Sequence, residues 1–151
     1  MSTTDENRLN DKPEGYLIFI IAGQEYGINM ESVYSIINPL DNYTLEEIVE
    51  IKSRSIVIKN KEIPIINFYD LYNLKSPPQS KDTRIIVVNI NEIKTAFYVD
   101  RIKELIAVGI SSDPPPTLTS VSENPFIKCQ LEFGDRHVLM PDIEKMVSDK
   151  S

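Results

Sequence analysis

The sequence predicts an all-β protein made of two small barrels. Short runs rich in β-branched and aromatic residues recur along the chain, and turn residues separate them at regular intervals. This spacing is typical of small all-β barrels. Ser76-Pro77-Pro78 interrupts the pattern near the middle, and strand-like runs restart beyond it. With 151 residues, the chain is one domain or two small subdomains that share a core.

The first predicted strands form a hairpin near the N-terminus. Tyr16–Ala22 is a continuous apolar run, which is typical of a buried strand. Gly23-Gln24 suits a tight turn with glycine first, and Glu25–Asn29 is the return strand. From Met30 the pattern fits either a helix or a strand. Thr44-Leu45-Glu46-Glu47 is a capping-box sequence, which predicts the start of a short helix.

The stretch from Ile56 to Leu74 predicts a second hairpin and then a helical turn. Two β-branched runs, Ile56–Ile58 and Ile63–Ile66, flank the charged tip Lys59-Asn60-Lys61-Glu62. Asn60 tolerates the left-handed conformation that a two-residue hairpin turn requires. The tip should therefore extend into solvent.

Two residues of this stretch carry positional information. Pro64 cannot donate a backbone hydrogen bond, so we expect its strand to lie at a sheet edge or to begin near it. Asn67 is a candidate N-cap. The helical turn that would follow has its apolar residues at Phe68, Leu71, Tyr72 and Leu74.

The second half of the chain repeats the alternation of strands and turns. Three strands are predicted first, at Arg84–Ile90, Lys94–Val99 and Ile102–Val108, with a turn at Asn91-Glu92. Ser111–Thr119 contains three prolines and predicts an extended loop. The chain should then close with a hairpin and a helix that has proline in its first turn, at Phe126–Phe133, Arg136–Met140 and Pro141–Val147.

These elements predict a single domain over residues 15–147. Barrel subdomains are expected roughly at residues 15–77 and 78–147, with chain ends that can cross between them. Residues 1–14 have the composition of a disordered tail, and residues 148–151 form a second tail.

Composition excludes several classes of function. The net charge of −7 argues against a surface for nucleic acid or anionic lipid, because such surfaces concentrate Lys and Arg. Cys129 is the single cysteine, which excludes an internal disulfide and permits a reducing compartment. Met1–Asn10 lacks the apolar segment of a signal peptide, and no apolar run approaches a membrane span. The cytoplasm is therefore the expected location, without direct insertion into a membrane.

Catalytic, metal-binding and cofactor-binding motifs are not found in the sequence. One histidine and one cysteine cannot form a typical His/Cys zinc site. There is no phosphate-binding glycine loop and no metalloprotease or hydrolase signature. His137 is interpreted as a surface or structural histidine, and Cys129 as a small core residue. We therefore predict a protein that is not an enzyme and has no catalytic residues, metal or cofactor.

Several short motifs, taken in order, resemble the CheW-like domain family. They are Tyr26-Gly27-Ile28, Val33-Tyr34-Ser35-Ile36, Ile63-Pro64-Ile65-Ile66, Val99-Asp100-Arg101-Ile102 and Leu139–Met146. The resemblance extends from about Tyr16 to Val147. Lys59 and Asn60 stand where the family has Arg and Gly, and Ser35 stands where it usually has Glu.

The resemblance implies both a fold and a role. Members of this family fold as two five-stranded SH3-like barrels, and they join chemoreceptor cytoplasmic tips to the regulatory domain of the histidine kinase CheA. An exposed barrel edge would meet the kinase, and the groove between the barrels would take the receptor. The implied location is the cytoplasm, at membrane-associated receptor arrays. The receptor-binding residues carried over are Val33, Ile36, Lys59, Asn60, Val99, Asp100 and Ile102.

Other interpretations of the same residues remain open. Lys59 fits an ordinary solvated hairpin tip, Val33 and Ile36 fit core positions, and Asp100-Arg101 fits a solvated pair at a strand end. At the level of the whole chain, a divergent scaffold for a different receptor or kinase is one alternative. An enzyme or small-molecule binder on a barrel is another, and a pocket with perturbed titratable groups would support it.

Overall fold

The chain folds mainly into β-strands, and these strands form two curled sheets. The computed structural model describes residues 14–40, 49–71, 73–75, 78–108, 117–119, 127–133 and 135–150. The predicted all-β class, with two small barrels and few short helices, is confirmed. Each sheet has six strands among the described residues, compared with the five predicted for each barrel.

Twelve strands and two α-helices make up the described elements. The strands are β1 (Glu14–Ile21), β2 (Gln24–Asn29), β3 (Val33–Ile37), β4 (Glu50–Ile51), β5 (Ser55–Ile58), β6 (Lys61–Ile66), β7 (Arg84–Ile90), β8 (Ile93–Val99), β9 (Arg101–Val108), β10 (Thr117–Thr119), β11 (Ile127–Phe133) and β12 (Arg136–Pro141). The helices are α1 (Phe68–Leu71) and α2 (Ile143–Lys150), and a 3-10 turn spans Met30–Ser32.

The described part of the chain crosses between the sheets twice. The first sheet has the order β3-β7-β8-β6-β5-β4 and uses residues 33–99, whereas the second has the order β9-β1-β2-β12-β11-β10. The 3-10 turn makes the first crossing, and Asp100 alone makes the second. The N-terminal hairpin thus joins the C-terminal strands. The sheets do not follow the ranges 15–77 and 78–147 one for one, and those subdomain ranges stay a prediction.

Three apolar clusters among the described residues explain why several strands are apolar on both faces. The largest, here called the central core, lies between the sheets and combines Leu17 and Phe19 of the second sheet with Ile86 and Phe97 of the first. Each sheet also encloses one smaller cluster on its concave side. Along β1, residues alternate between the central core and the cluster of the second sheet. The strand is apolar throughout because both of its faces are buried.

Among the described residues, three two-residue turns have positive φ at both positions, which is the geometry of a type I′ hairpin. The turn Lys59-Asn60 has φ values of 54° and 64°, so the predicted two-residue turn is confirmed. Lys59 adopts the same left-handed conformation as Asn60. Asn91-Glu92 also forms a predicted turn. The first hairpin differs from its prediction, because its turn is Ala22-Gly23 and Gln24 already pairs with Ile21.

Pro64 lies within a sheet, so the prediction of an edge strand is wrong. Its strand, β6, pairs with β5 on one side and with β8 on the other. Ile65 donates its N–H to the carbonyl of Arg54 at 2.9 Å, so the nitrogen of Pro64 points away from that partner. β6 pairs with β8 only from Ile65 onward. Proline is tolerated in this interior strand because Pro64 lies just before the residues that pair with β8. The missing N–H of Pro64 therefore removes no hydrogen bond between β6 and β8.

The helix boundaries show two capping side chains. Asn67 Oδ1 accepts from the N–H of Asp70 at 3.1 Å, which confirms the predicted N-cap of α1. Asp142 Oδ1 accepts from the N–H of Lys145 at 3.1 Å, so α2 begins after Asp142. The prediction of Pro141 in the first helical turn is wrong, because this residue ends β12.

The remaining predictions have mixed outcomes. The stretch after Met30 is a short 3-10 turn and then a strand. Thr117–Thr119 was predicted as loop but pairs with β11. The predicted helix at Thr44 and most of the Ser111–Thr119 loop lie outside the described residues. Among the residues that the structure describes, no helix is long and apolar enough to span a membrane.

Candidate protein-docking site

Strand β3 presents apolar side chains at the edge of the first sheet. It pairs with β7 on one side, and within the described chain no strand pairs with its other side. Tyr34 and Ile36 are 43% and 40% exposed, whereas Ile37 is fully buried. Val33 is half-buried and packs against the central core. The edge therefore offers both backbone groups and apolar surface to a partner.

The ring of Tyr34 contacts a lysine that lies two strands away in the same sheet. Lys94 of β8 places its Nζ 4.8 Å from the centroid of the Tyr34 ring. A cation over an aromatic face at this distance contributes about 0.5–1 kcal/mol at an exposed site. The contact limits the orientations of Tyr34 and adds a positive charge beside the apolar edge.

The hairpin tip lies at one end of the first sheet. Lys59 and Asn60 are both exposed. Strand β6 runs parallel to β8 with Ile65 opposite Ala96, so the tip is nearest the end of β8 at which the Asn91-Glu92 turn lies. Val99 and Asp100 are at the opposite end of β8. The structure therefore places Lys59 and Asn60 at one end of the first sheet and Val99 and Asp100 at the other.

Besides Val33, two of the predicted receptor-binding residues face the central core. Val99 is fully buried, and Ile102 is half-buried and packs against the same cluster. A side chain with no exposed surface cannot contact a partner unless the fold opens. Val99 can thus influence docking only through the position of its neighbours, whereas Ile36, Lys59 and Asn60 have the exposure that a direct contact requires.

Asp100 is engaged in contacts within the protein. Its Oδ2 accepts from the N–H of Ala22 at 2.9 Å, and its N–H donates to the carbonyl of Ile20 at 2.9 Å. Its Oδ1 accepts a hydrogen bond from the hydroxyl of Tyr69. Burial raises the pKa of Tyr69, and the hydrogen bond to Asp100 and the negative charge of that carboxylate raise it further.

A charge cluster on the second sheet was not predicted from the sequence. Lys103 Nζ lies 2.6 Å from Glu25 Oε2, and Arg136 Nη2 lies 2.7 Å from both Glu25 Oε1 and Glu104 Oε1. Lys103 falls at a β-bulge in the pairing of β9 with β1, and bulges redirect side chains. The partners are up to 111 residues apart, so no local pattern signals the cluster.

The cluster changes the protonation of Glu25. Burial raises the pKa of its carboxyl, but hydrogen bonds from Lys103 and Arg136 and their charges outweigh burial and leave the pKa below its usual 4.5. A lowered pKa means that the folded state favours the carboxylate. The resulting stabilisation is present above pH 4.5 and is lost as the pH falls through the lowered value.

Glu25→Gln should lower the free energy of unfolding by about 1 kcal/mol at pH 7, because it removes a partly buried double ion pair. The difference from wild type should shrink as the pH falls below 4.5. Urea unfolding over a pH series measures both quantities. Glu31→Gln, at an exposed residue of the 3-10 turn, is the control and should cost under about 0.5 kcal/mol. A pH-independent difference would contradict the assignment.

The other polar groups do not form a reactive constellation. Among the described residues, no group of three or more His, Cys, Asp and Glu is arranged to hold a metal ion. His137 is exposed and contacts the side-chain amide of Gln130. Burial raises the pKa of the Cys129 thiol, which keeps it protonated. A surface pocket of about 110 Å³ beside α2 has Asn29 and Lys128 among its lining residues.

Comparison with known proteins identifies the family. The profile of the CheW-like domain matches residues 15–151. The chemotaxis protein CheW of Helicobacter pylori is 28% identical over 116 residues, which are 76% of this chain and 70% of that protein. The chemotaxis protein CheW of Treponema pallidum is 24% identical over 148 residues, which are 94% and 86% of the two chains.

A solved structure supports the same fold. The scaffolding protein TtCheW from Thermoanaerobacter tengcongensis superposes with a TM-score of 0.63 at 21% identity, over 85% of this chain and 88% of that one. The family match covers nearly the whole described fold, including both sheets and the β3 edge. The chain therefore belongs to the CheW-like domain family and is a chemotaxis scaffold protein, not an enzyme.

Proposed function

We propose that this scaffold joins the cytoplasmic tips of chemoreceptors to the regulatory domain of the histidine kinase CheA. The observation that carries the proposal is the exposed edge of β3, with Tyr34 and Ile36 at the surface of a chain that matches the CheW-like family. The protein would act by binding alone. This role implies a cytoplasmic protein recruited to membrane-associated receptor arrays.

The two partners need separate surfaces. The receptor tip is proposed to contact the β3 edge and the hairpin tip, through Ile36, Lys59 and Asn60. The kinase domain is proposed to use an edge of the other sheet. Strand β9 forms one such edge, and its Leu105 is 59% exposed. An exposed strand edge with an apolar side chain suits pairing with another barrel.

Calorimetric titration with each isolated partner tests this function. The protein should bind both the CheA regulatory domain and a receptor fragment that contains the cytoplasmic tip. Absence of kinase binding at high micromolar concentration, with both proteins folded, would contradict the adaptor role. Binding to other receptor or kinase fragments only would indicate a scaffold for a different signalling system, which the Lys59, Asn60 and Ser35 departures from the family pattern would then explain.

Lys59→Glu should weaken receptor binding by about 1–3 kcal/mol, the range for a charge that is buried in a complex. Stability should change by no more than about 0.5 kcal/mol, because the side chain is exposed. Kinase binding should stay unchanged. Two titrations and one unfolding curve measure these quantities.

The matched control is Lys81→Glu, which makes the same charge change at an exposed turn residue preceding β7. The start of β7 pairs with Val99, at the end of the sheet opposite the hairpin tip. Lys81→Glu should leave receptor affinity near that of wild type. If both variants weaken receptor binding equally, the effect is one of net charge and Lys59 is an ordinary solvated tip.

A further inference from the structure

The second crossing between the sheets is one residue long. Strand β8 of the first sheet ends at Val99, and β9 of the second sheet begins at Arg101. Asp100 alone connects them. A connection this short has little slack, so the angle between the sheets depends on how the backbone of Asp100 is held.

The hydrogen bonds of Asp100 reach both sheets. Its N–H binds the carbonyl of Ile20 in β1, and its carboxylate accepts from Ala22 in the turn after β1. These contacts fasten the crossing to the second sheet. The hydroxyl of Tyr69, in the helix that follows β6 of the first sheet, binds the other carboxylate oxygen. The carboxylate is therefore a clamp between the sheets.

Tyr69 itself is inaccessible to a partner. It is 5% exposed and belongs to the central core. Any effect of its hydroxyl on binding must pass through Asp100 or the position of the sheets. A substitution at Tyr69 can therefore distinguish an indirect role of Asp100 from direct contact with the receptor. A substitution of Asp100 itself would remove both effects at once.

We propose that Asp100 is a positioning residue for receptor docking, which acts through Tyr69 to hold the two sheets in the arrangement that the receptor tip binds. This inference rests on the proposed function and changes the role of one predicted residue. Both carboxylate oxygens of Asp100 already accept hydrogen bonds within the protein. A direct contact with a receptor would have to compete with those donors.

Titration of the receptor fragment against wild type, Tyr69→Phe, Asp100→Ala and the double variant tests the inference. Tyr69→Phe should weaken receptor binding about fivefold, a size typical of coupling through packed contacts. Asp100→Ala should weaken it at least as much, and the double variant should bind no more weakly than Asp100→Ala. Such non-additivity is the signature of two groups that act as one unit.

Tyr98→Phe is the control, because it removes a hydroxyl from a half-buried tyrosine of β8, whereas the side chain of Asp100 is bonded to Ala22 and Tyr69. Kinase affinity should change less than about twofold in every variant, and thermal unfolding should show all of them folded at the titration temperature. A receptor affinity of Tyr69→Phe equal to that of wild type would overturn the inference alone. A wild-type protein that does not bind the receptor fragment would overturn the proposed receptor role, and this inference with it.

Discussion

Phe97→Ala should lower the free energy of unfolding by about 3–5 kcal/mol, the largest loss we expect from a single side chain in this protein. Phe97 of β8 is fully buried in the central core. Its ring lies parallel to that of Phe68 in α1, with 4.4 Å between centroids, and 5.6 Å from that of Phe19 in β1. The variant therefore leaves a cavity where one strand of each sheet and α1 meet.

Urea unfolding followed by circular dichroism gives the free energy. Phe97→Leu keeps most of the apolar volume and should cost about 1–1.5 kcal/mol. Tyr34→Ala removes an aromatic ring that is 43% exposed, and should cost at most about 1 kcal/mol. A loss below about 1.5 kcal/mol for Phe97→Ala would show that the space between the sheets collapses easily, and would contradict a rigid central core.

This central core also bears on function. The proposed receptor site depends on the relative position of the sheets, and the aromatic contacts of Phe97 connect β8 directly to β1 of the other sheet. The clamp at Asp100 fixes the same two sheets where the chain crosses between them. Packing sets most of the stability of this arrangement, whereas the hydrogen bonds of a single carboxylate select its geometry.

Local sequence patterns predicted much of the fold. The strand Arg84–Ile90 and its turn Asn91-Glu92 agree with the structure, because β-branched runs and turn residues act over short distances. The sequence allowed chain ends to cross between the subdomains, but it did not predict where the two crossings lie. They depend on pairing between strands that are distant in sequence, such as β1 with β9, and no local propensity encodes such pairing.

The exposure of the predicted site residues could be predicted only in part, for a physical reason. Exposure at Lys59 and Ile36 agrees with a docking role, but Val99 is core, because β8 is buried on both faces and alternation cannot show which face meets a partner. The contacts of Asp100 with Tyr69 and Ala22 span 31 and 78 residues. Only the folded structure brings those groups together.

Gly27→Ala should lower the free energy of unfolding by about 1–2 kcal/mol, and Gly27→Val by about 3 kcal/mol. A Cβ at Gly27 of β2 would lie 3.0 Å from Ile18 Cδ1 and 3.0 Å from Val138 Cγ1. Both neighbours are fully buried inside the second sheet, so neither can move away without disturbing that cluster. Close packing gives a physical reason for glycine in the Tyr26-Gly27-Ile28 motif.

Two other glycines separate crowding from backbone effects. A Cβ at Gly15 of β1 would meet its nearest atom at 3.6 Å, an ordinary contact, so Gly15→Ala should be neutral or stabilising by up to about 1 kcal/mol. Gly23 has open space but a φ of 82°, so Gly23→Ala should cost about 1 kcal/mol through backbone strain alone. Thermal and urea unfolding of the four variants give the order. If Gly27→Val is no less stable than Gly23→Ala, the interior of the second sheet can accommodate the valine side chain. That result would contradict the close packing that we infer around Gly27.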